Sequence, residues 1–275
     1  MNMKIEQEER FRRGSGRSRP YIARIGVYAL LIVTYVTGTV SLLGMVIFLF
    51  RGPFDLVNLE LGEAGGLVLN TSLSLIFFIQ HSAMIRQRFH QWLSHLVRPA
   101  YHGALYTITS GIILLGVMLF WQKSAYQVVE FHGVIRWLLH AIFFVSLGIF
   151  YWGIYSLDQF DGLGVAPIWH ELRGTHPRPK SFTVRGVYRR VRHPLYFSCL
   201  LLIWSCPDIT ADRLLFNILW TIWIVLGIVF EERDLVASFG EAYRDYQRNV
   251  PMLIPYHIRP TVRGSWSDGG SDERQ

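Results

Sequence analysis

Four apolar runs, each long enough to cross a bilayer, constrain this chain more than any other feature. They cover Ile25–Phe50, Ala64–Ile85, Gly103–Trp121 and Trp137–Leu157, and the charges gather between them. Hydrocarbon offers a backbone amide no partner outside its own segment, so each run predicts a transmembrane α-helix. Two shorter runs follow, Leu195–Cys206 and Leu214–Phe230, separated by Pro207-Asp208-Ile209-Thr210-Ala211-Asp212. The first of these is too short to cross alone. Proline suits the first turn of a helix, so a helical hairpin is expected to begin at Pro194. The expected fold is an all-α integral membrane protein of five to six transmembrane helices with a C-terminal helical hairpin.

Composition agrees but does not decide, because soluble domains are also rich in apolar residues. The net charge of +7 bears on partners. The basic residues sit at the ends of apolar runs, which suits anionic lipid headgroups and speaks against nucleic acid. Arg12, Arg13, Arg17, Arg19 and Arg24 precede the first run, while Asp55, Glu60 and Glu63 follow it. Arg86, Arg88 and Arg98 follow the second run, and a basic stretch from Arg173 to Arg192 follows the fourth. By the positive-inside rule both termini and these basic loops face the cytoplasm. Residues 1–20 and 261–275 are polar and Gly/Ser-rich and are expected to be disordered tails around one membrane domain, 21–260. No small-residue cleavage pattern follows a short apolar core, so no cleavable signal is read. Cys199 and Cys206 lie two helical turns apart in one apolar run and read as buried, unbridged thiols.

Chemistry concentrates in two segments. In Arg185-Gly186-Val187-Tyr188-Arg189-Arg190-Val191-Arg192-His193-Pro194-Leu195-Tyr196, His193 falls at the helix cap and Tyr196 one turn in. The free amides and dipole of such a helix start suit a carboxylate or phosphate. The arginines alone read equally as anchors flanking a span. The second segment starts where the last run ends, with Glu231-Glu232, then Phe239-Gly240, Tyr243, Tyr246 and Pro251 to Pro255. The paired carboxylates form either a structural ion-pair cluster with the arginines before Pro194 or the wall of a site. Tyr243 and Tyr246 share a helix face and read as interfacial anchors or as lining. In the second span, His81 is costly unless it faces the bundle interior, where it serves chemistry or packing.

Taken together, Arg192-His193-Pro194-Leu195-Tyr196, Glu231-Glu232, Phe239-Gly240, Tyr243, Tyr246 and Pro255 resemble the C-terminal signature of the isoprenylcysteine carboxyl methyltransferase superfamily. A wider resemblance, over residues 25–256, is to the methanethiol S-methyltransferases and their NnrU-type relatives. Gln80-His81-Ser82-Ala83-Met84 with Phe89 and Trp92, and Asp158-Gln159-Phe160-Asp161 before Gly164 and Trp169, carry it. Departures fall in the acceptor half: His102-Gly103-Ala104 replaces an acidic-Arg-Ser sequence before Tyr106, Gly162 follows Asp161, and Ala166-Pro167 replaces a more polar pair.

The resemblance implies a hairpin enclosing an S-adenosylmethionine site at about 185–256 and methyl transfer to methanethiol, giving dimethyl sulfide. It implies that Arg189 or Arg192, with the helix start at His193 and Pro194, holds the donor carboxylate. Glu231 or Glu232 takes its amino group or ribose, Tyr196 packs on it, and Tyr243 and Tyr246 complete the lining. His81 and His193 are the candidate acceptors of the thiol proton, and no metal is expected. Other readings stay open: another acceptor on the same fold, a non-enzymatic NnrU-like protein, or a sterol-type reductase with a nicotinamide cofactor.

Overall fold

The computed structural model describes residues 21–157, 160–175 and 182–255. The two expected tails, and Asp158 and Gln159 of the acidic block, lie outside the described residues. Helices α1 (Tyr21–Arg51), α2 (Gly62–Ile85), α4 (His102–Phe120), α5 (Gly133–Ser156) and α8 (Ala211–Phe239) include the five segments long and apolar enough to span a membrane. Short helix α3 (Gln87–Leu93) joins α2 to α4, and α6 (Ala166–Arg173) follows α5. The hairpin is α7 (Pro194–Trp204) with α8, and α9 (Glu241–Asn249) closes the chain. The protein is an integral membrane protein, as the apolar runs predict.

The hairpin is unequal. At 11 residues α7 is about 16 Å long, whereas the 29 residues of α8 reach about 43 Å. Residues 205–210 carry the chain on from α7 as extended backbone. Such backbone is tolerated beside a membrane only where its polar groups are satisfied. Here β2 (Asp208–Thr210) pairs antiparallel with β1 (Gln127–Glu130), and Phe131 donates to the Pro207 carbonyl at 3.0 Å. Arg136 clasps Asp208 with contacts of 2.8 and 2.6 Å. Cys206 therefore sits beyond the helix carrying Cys199, with its thiol on the Asp208 carbonyl, rather than two turns along the same helix.

At the hairpin tip, α8 enters the bundle with two buried charges. Asp212 accepts from the Trp121 indole, the Ser124 amide and the Thr210 hydroxyl. Arg213 donates to the carbonyls of Phe48 and Leu49, so it caps the end of α1. Asn70 and Gln122 exchange two hydrogen bonds of 2.8 Å between α2 and the end of α4.

Without a hydrophobic force between helices in lipid, small residues set the close approaches. Gly103, Thr107 and Gly111 form a stripe on α4, and Gly111 meets Thr37 and Ser41 of α1. Gly103 lies backbone-to-backbone against Gly164, whose φ of +65° also requires glycine. The glycine departure before Tyr106 thus docks on the turn that follows Asp161, in which Gly162 faces only the neighbouring Phe160 ring. Asp161 caps α6 through the Val165 and Ala166 amides, and Thr107 donates to the Leu163 carbonyl at 2.8 Å. Helix α7 approaches α5 at Gly153, where a Cβ would lie 2.6 Å from Leu195. The outward apolar faces of α1, α2 and α5 are exposed to lipid, with Val134 and Trp137 among the most exposed residues.

Candidate active site

The end of the bundle opposite the hairpin tip is organised around Glu232. This carboxylate, buried near the end of α8, receives five donors. Arg192 Nε (2.8 Å), His193 Nε2 (2.6 Å) and the Tyr243 hydroxyl (3.0 Å) reach Oε1. Arg192 Nη2 (3.3 Å) and the Gln247 amide reach Oε2. The other face of Arg192 is spent on the carbonyls of Gln247 and Val250, at 3.0 and 2.6 Å. The amides of Arg192 and His193 donate to Pro251 and Met252. One carboxylate thus ties together the start of α7, the end of α8, α9 and the segment after it.

The neighbouring carboxylate has a different situation. Glu231 is 43% exposed at its side chain against 11% for Glu232, and its Oε2 lies 3.9 Å from His193 Nδ1. The Tyr196 hydroxyl is directed at it, and Tyr188 lies in its field. The His193 and Tyr196 rings are 5.7 Å apart. His193 caps α7 with Pro194 at the first turn, as the sequence predicts. The first helical amides left without a backbone acceptor are therefore those at Leu195 and Tyr196, because the two preceding ones are already paired.

Of the two candidate arginines, Arg192 is consumed by Glu232. Arg189, in the 3-10 turn Gly186–Arg189, has its Nε 3.5 Å from the Val184 carbonyl and no ion pair among the described residues. Tyr243 and Tyr246 are buried with Phe182 and Val184, rings 5.7 Å apart, rather than lying at an interface. Burial, then the Glu232 charge, holds the Tyr243 hydroxyl well above the ordinary tyrosine range, so it remains a donor. Burial raises Tyr246 as well, and its hydroxyl donates to the Tyr188 carbonyl at 2.6 Å. Burial, then Glu231, raises Tyr188.

His81 is separate from this knot and is surrounded by aromatic rings. Its ring centroid lies 5.2 Å from Phe77, 5.1 Å from Tyr106 and 5.1 Å from Trp223. The Tyr106 hydroxyl is 2.7 Å from His81 Nε2 and 3.1 Å from Nδ1. Trp223 donates to the Ser82 hydroxyl at 3.2 Å and stacks on Phe78. Gln80 donates to Ser110 at 3.1 Å, so the Gln80-His81-Ser82 run turns polar groups towards α4 and α8. Trp223 precedes Glu231 by eight residues on α8, so this pocket lies about 12 Å deeper in the bundle than the exposed carboxylate. Tyr106 lies in the same electrostatic neighbourhood as Tyr196, which links the two halves.

The structure thus unites Arg192, His193, Glu232 and Tyr243, places Tyr246 behind them, and leaves Glu231, Tyr196 and Arg189 at the edge. Sequence reasoning missed Gln247, Tyr188, Tyr106 and Trp223. Tyr188 carried a signal from its place inside the dense basic segment, and Tyr106 one from following the departing His102-Gly103-Ala104. The others are single residues on ordinary helical faces.

No family model and no solved structure matches the chain. Curated relatives do. "Methanethiol S-methyltransferase 2" of Bradyrhizobium diazoefficiens is 35% identical over 238 residues, 85% of this chain and 91% of that protein. The "Methanethiol S-methyltransferase" of Mycobacterium tuberculosis is 33% identical over 204 residues, 73% and 82% of the two chains. That of Pseudomonas deceptionensis is 33% identical over 190 residues, 69% and 72% of the two chains. At this identity and coverage the chain belongs to the methanethiol S-methyltransferase family.

Proposed function

We propose that this chain transfers a methyl group from S-adenosylmethionine to methanethiol, releasing dimethyl sulfide and S-adenosylhomocysteine at the cytoplasmic face. The observation that carries the reading is the division between the two carboxylates. Glu232 is saturated by protein donors, while Glu231 beside it stays available to a ligand. The residues fit a donor with a zwitterionic end and a cationic centre. Arg189 carries a positive charge with no ion pair among the described residues, Glu231 a partly exposed negative one, and aromatic rings lie beyond. The relatives' names support the acceptor, and the arginines around the basic loops support the orientation.

In this reading Arg189 holds the donor carboxylate and Glu231 its ammonium group. Tyr196 and Tyr188 pack along it, while Arg192, His193, Tyr243, Tyr246 and Gln247 keep the knot closed. S-adenosylmethionine supplies an electrophilic methyl on a sulfonium. The nucleophile is the thiolate, so the chain must remove one proton. We assign that proton to His81, because His193 already gives Nε2 to Glu232. Phe77, Phe78 and Trp223 keep water from the reacting atoms. Charge is cancelled as thiolate meets sulfonium, and a dry pocket favours such a step. Alignment of the three reacting atoms supplies much of the rate.

The test is headspace gas chromatography on membranes carrying the chain, given S-adenosylmethionine and methanethiol. Dimethyl sulfide above vector-only membranes is expected. Donor binding without that product would overturn the acceptor, and loss of both would overturn the reading.

A further inference from the structure

We infer that Tyr106 is the positioning residue of the proton acceptor, and that it fixes which ring nitrogen of His81 takes the thiol proton. The inference rests on the methyltransferase reading and adds a residue that the sequence motifs did not assign. His81 lies in the span α2 and Tyr106 in α4, and the tyrosine hydroxyl stands at the edge between the two imidazole nitrogens, nearer Nε2. Phe77 and Trp223 cover other sides of the imidazole. No carboxylate is paired with His81 among the described residues, so the phenol is its polar partner.

A hydroxyl that lies nearer one imidazole nitrogen than the other favours one tautomer and one ring orientation. With the Nε2 proton donated to the Tyr106 oxygen at 2.7 Å, the lone pair lies on Nδ1. During the reaction the thiol S–H bond breaks and an Nδ1–H bond forms, leaving its electron pair on sulfur. That pair forms the new carbon–sulfur bond, and the old carbon–sulfur pair departs with the donor's sulfur. The imidazolium then carries two N–H groups, and the Tyr106 oxygen holds one of them. It later returns the proton to water on product release. A neutral phenol suits this position: a carboxylate there would raise the basicity of His81 and add a charge inside an apolar bundle.

The same pair would serve no purpose for an acceptor that arrives already ionised. A selenol is far more acidic than the thiol of the same shape and is ionised at neutral pH. The experiment therefore compares methanethiol with methaneselenol on purified full-length protein, by headspace detection of dimethyl sulfide and dimethyl selenide. Tyr106→Phe is expected to lower turnover of the thiol about 10-fold, the worth of one hydrogen bond to a charged group. His81→Gln is expected to lower it about 100-fold, as for loss of a general base. Both variants should keep donor affinity and methylate the selenol within about 3-fold of wild type. Equal losses on thiol and selenol in a variant that binds donor normally would overturn the inference, as would no loss on either. If Tyr106→Phe fails to bind donor, the imidazole 15N shifts of His81 in the wild-type protein read the tautomer directly, and a neutral ring protonated on Nδ1 would overturn the inference. Wild type inactive on both acceptors would instead overturn the methyltransferase reading itself.

Discussion

The two adjacent glutamates should respond oppositely to the same conservative change. Glu232→Gln replaces a buried carboxylate facing five donors with an amide whose NH2 group must point at some of them. Arg192 loses its counter-charge while keeping only the two carbonyls of Gln247 and Val250. Removing one partner of a buried pair costs about 3–5 kcal/mol. The surviving carbonyl contacts place the expected loss near the lower end, about 3 kcal/mol. Against a stability of roughly 5–15 kcal/mol that is a large fraction, and it is localised where α7, α8 and α9 meet. Glu231→Gln removes a half-exposed charge that His193 faces at 3.9 Å and that an amide oxygen can still replace as acceptor for Tyr196, so its stability cost should stay below about 1 kcal/mol. Its donor affinity should nonetheless fall, by about 10-fold or more, through loss of a charge-assisted contact. Thermal unfolding in detergent and calorimetric titration with S-adenosylhomocysteine on both variants separate the effects. An unchanged melting temperature for Glu232→Gln, or unchanged donor affinity for Glu231→Gln, would refute the division of roles.

Other consequences follow from the same contacts. Gly103→Ala should cost about 1–3 kcal/mol by overpacking, because its Cβ would enter the Gly164 backbone; it should disturb turnover, through Tyr106 one turn on, more than donor affinity. Arg213→Met should lower thermal stability by about 3 kcal/mol by uncapping α1, with donor affinity intact because the tip is remote from the site. Tyr243 is raised in the fold, so its contribution is complete below about pH 10 and is lost as pH rises through its folded value. Wild-type stability should accordingly fall more steeply above that pH than that of Tyr243→Phe, read by alkaline unfolding curves. His90 is lowered by burial and then by His102, so its contribution is present above about pH 6.5 and lost as pH falls below it. Melting curves of wild type and His90→Gln should converge on acidification.

The sequence alone determined the membrane architecture, because in hydrocarbon a span must satisfy its backbone within itself, and that requirement is written in apolar length. It also located the start of α7, since Pro194 suits the first helical turn, and it put the Glu231-Glu232 pair within reach of the arginines before Pro194. Three things depended on tertiary structure. The 11 residues of α7 and the extended chain after it exist because β1 pairs with that chain from about 80 positions away in sequence, as at Val129 and Ile209. Adjacent glutamates look alike in sequence, yet helical rotation turns Glu232 into the knot and Glu231 to its edge. The partner of His81 is a tyrosine on another helix, fixed by how Gly103 and Gly111 let α4 approach its neighbours. Apolar pattern encodes what each segment does alone in lipid; which polar groups meet is settled by small-residue packing between helices, where lipid exerts no sorting force.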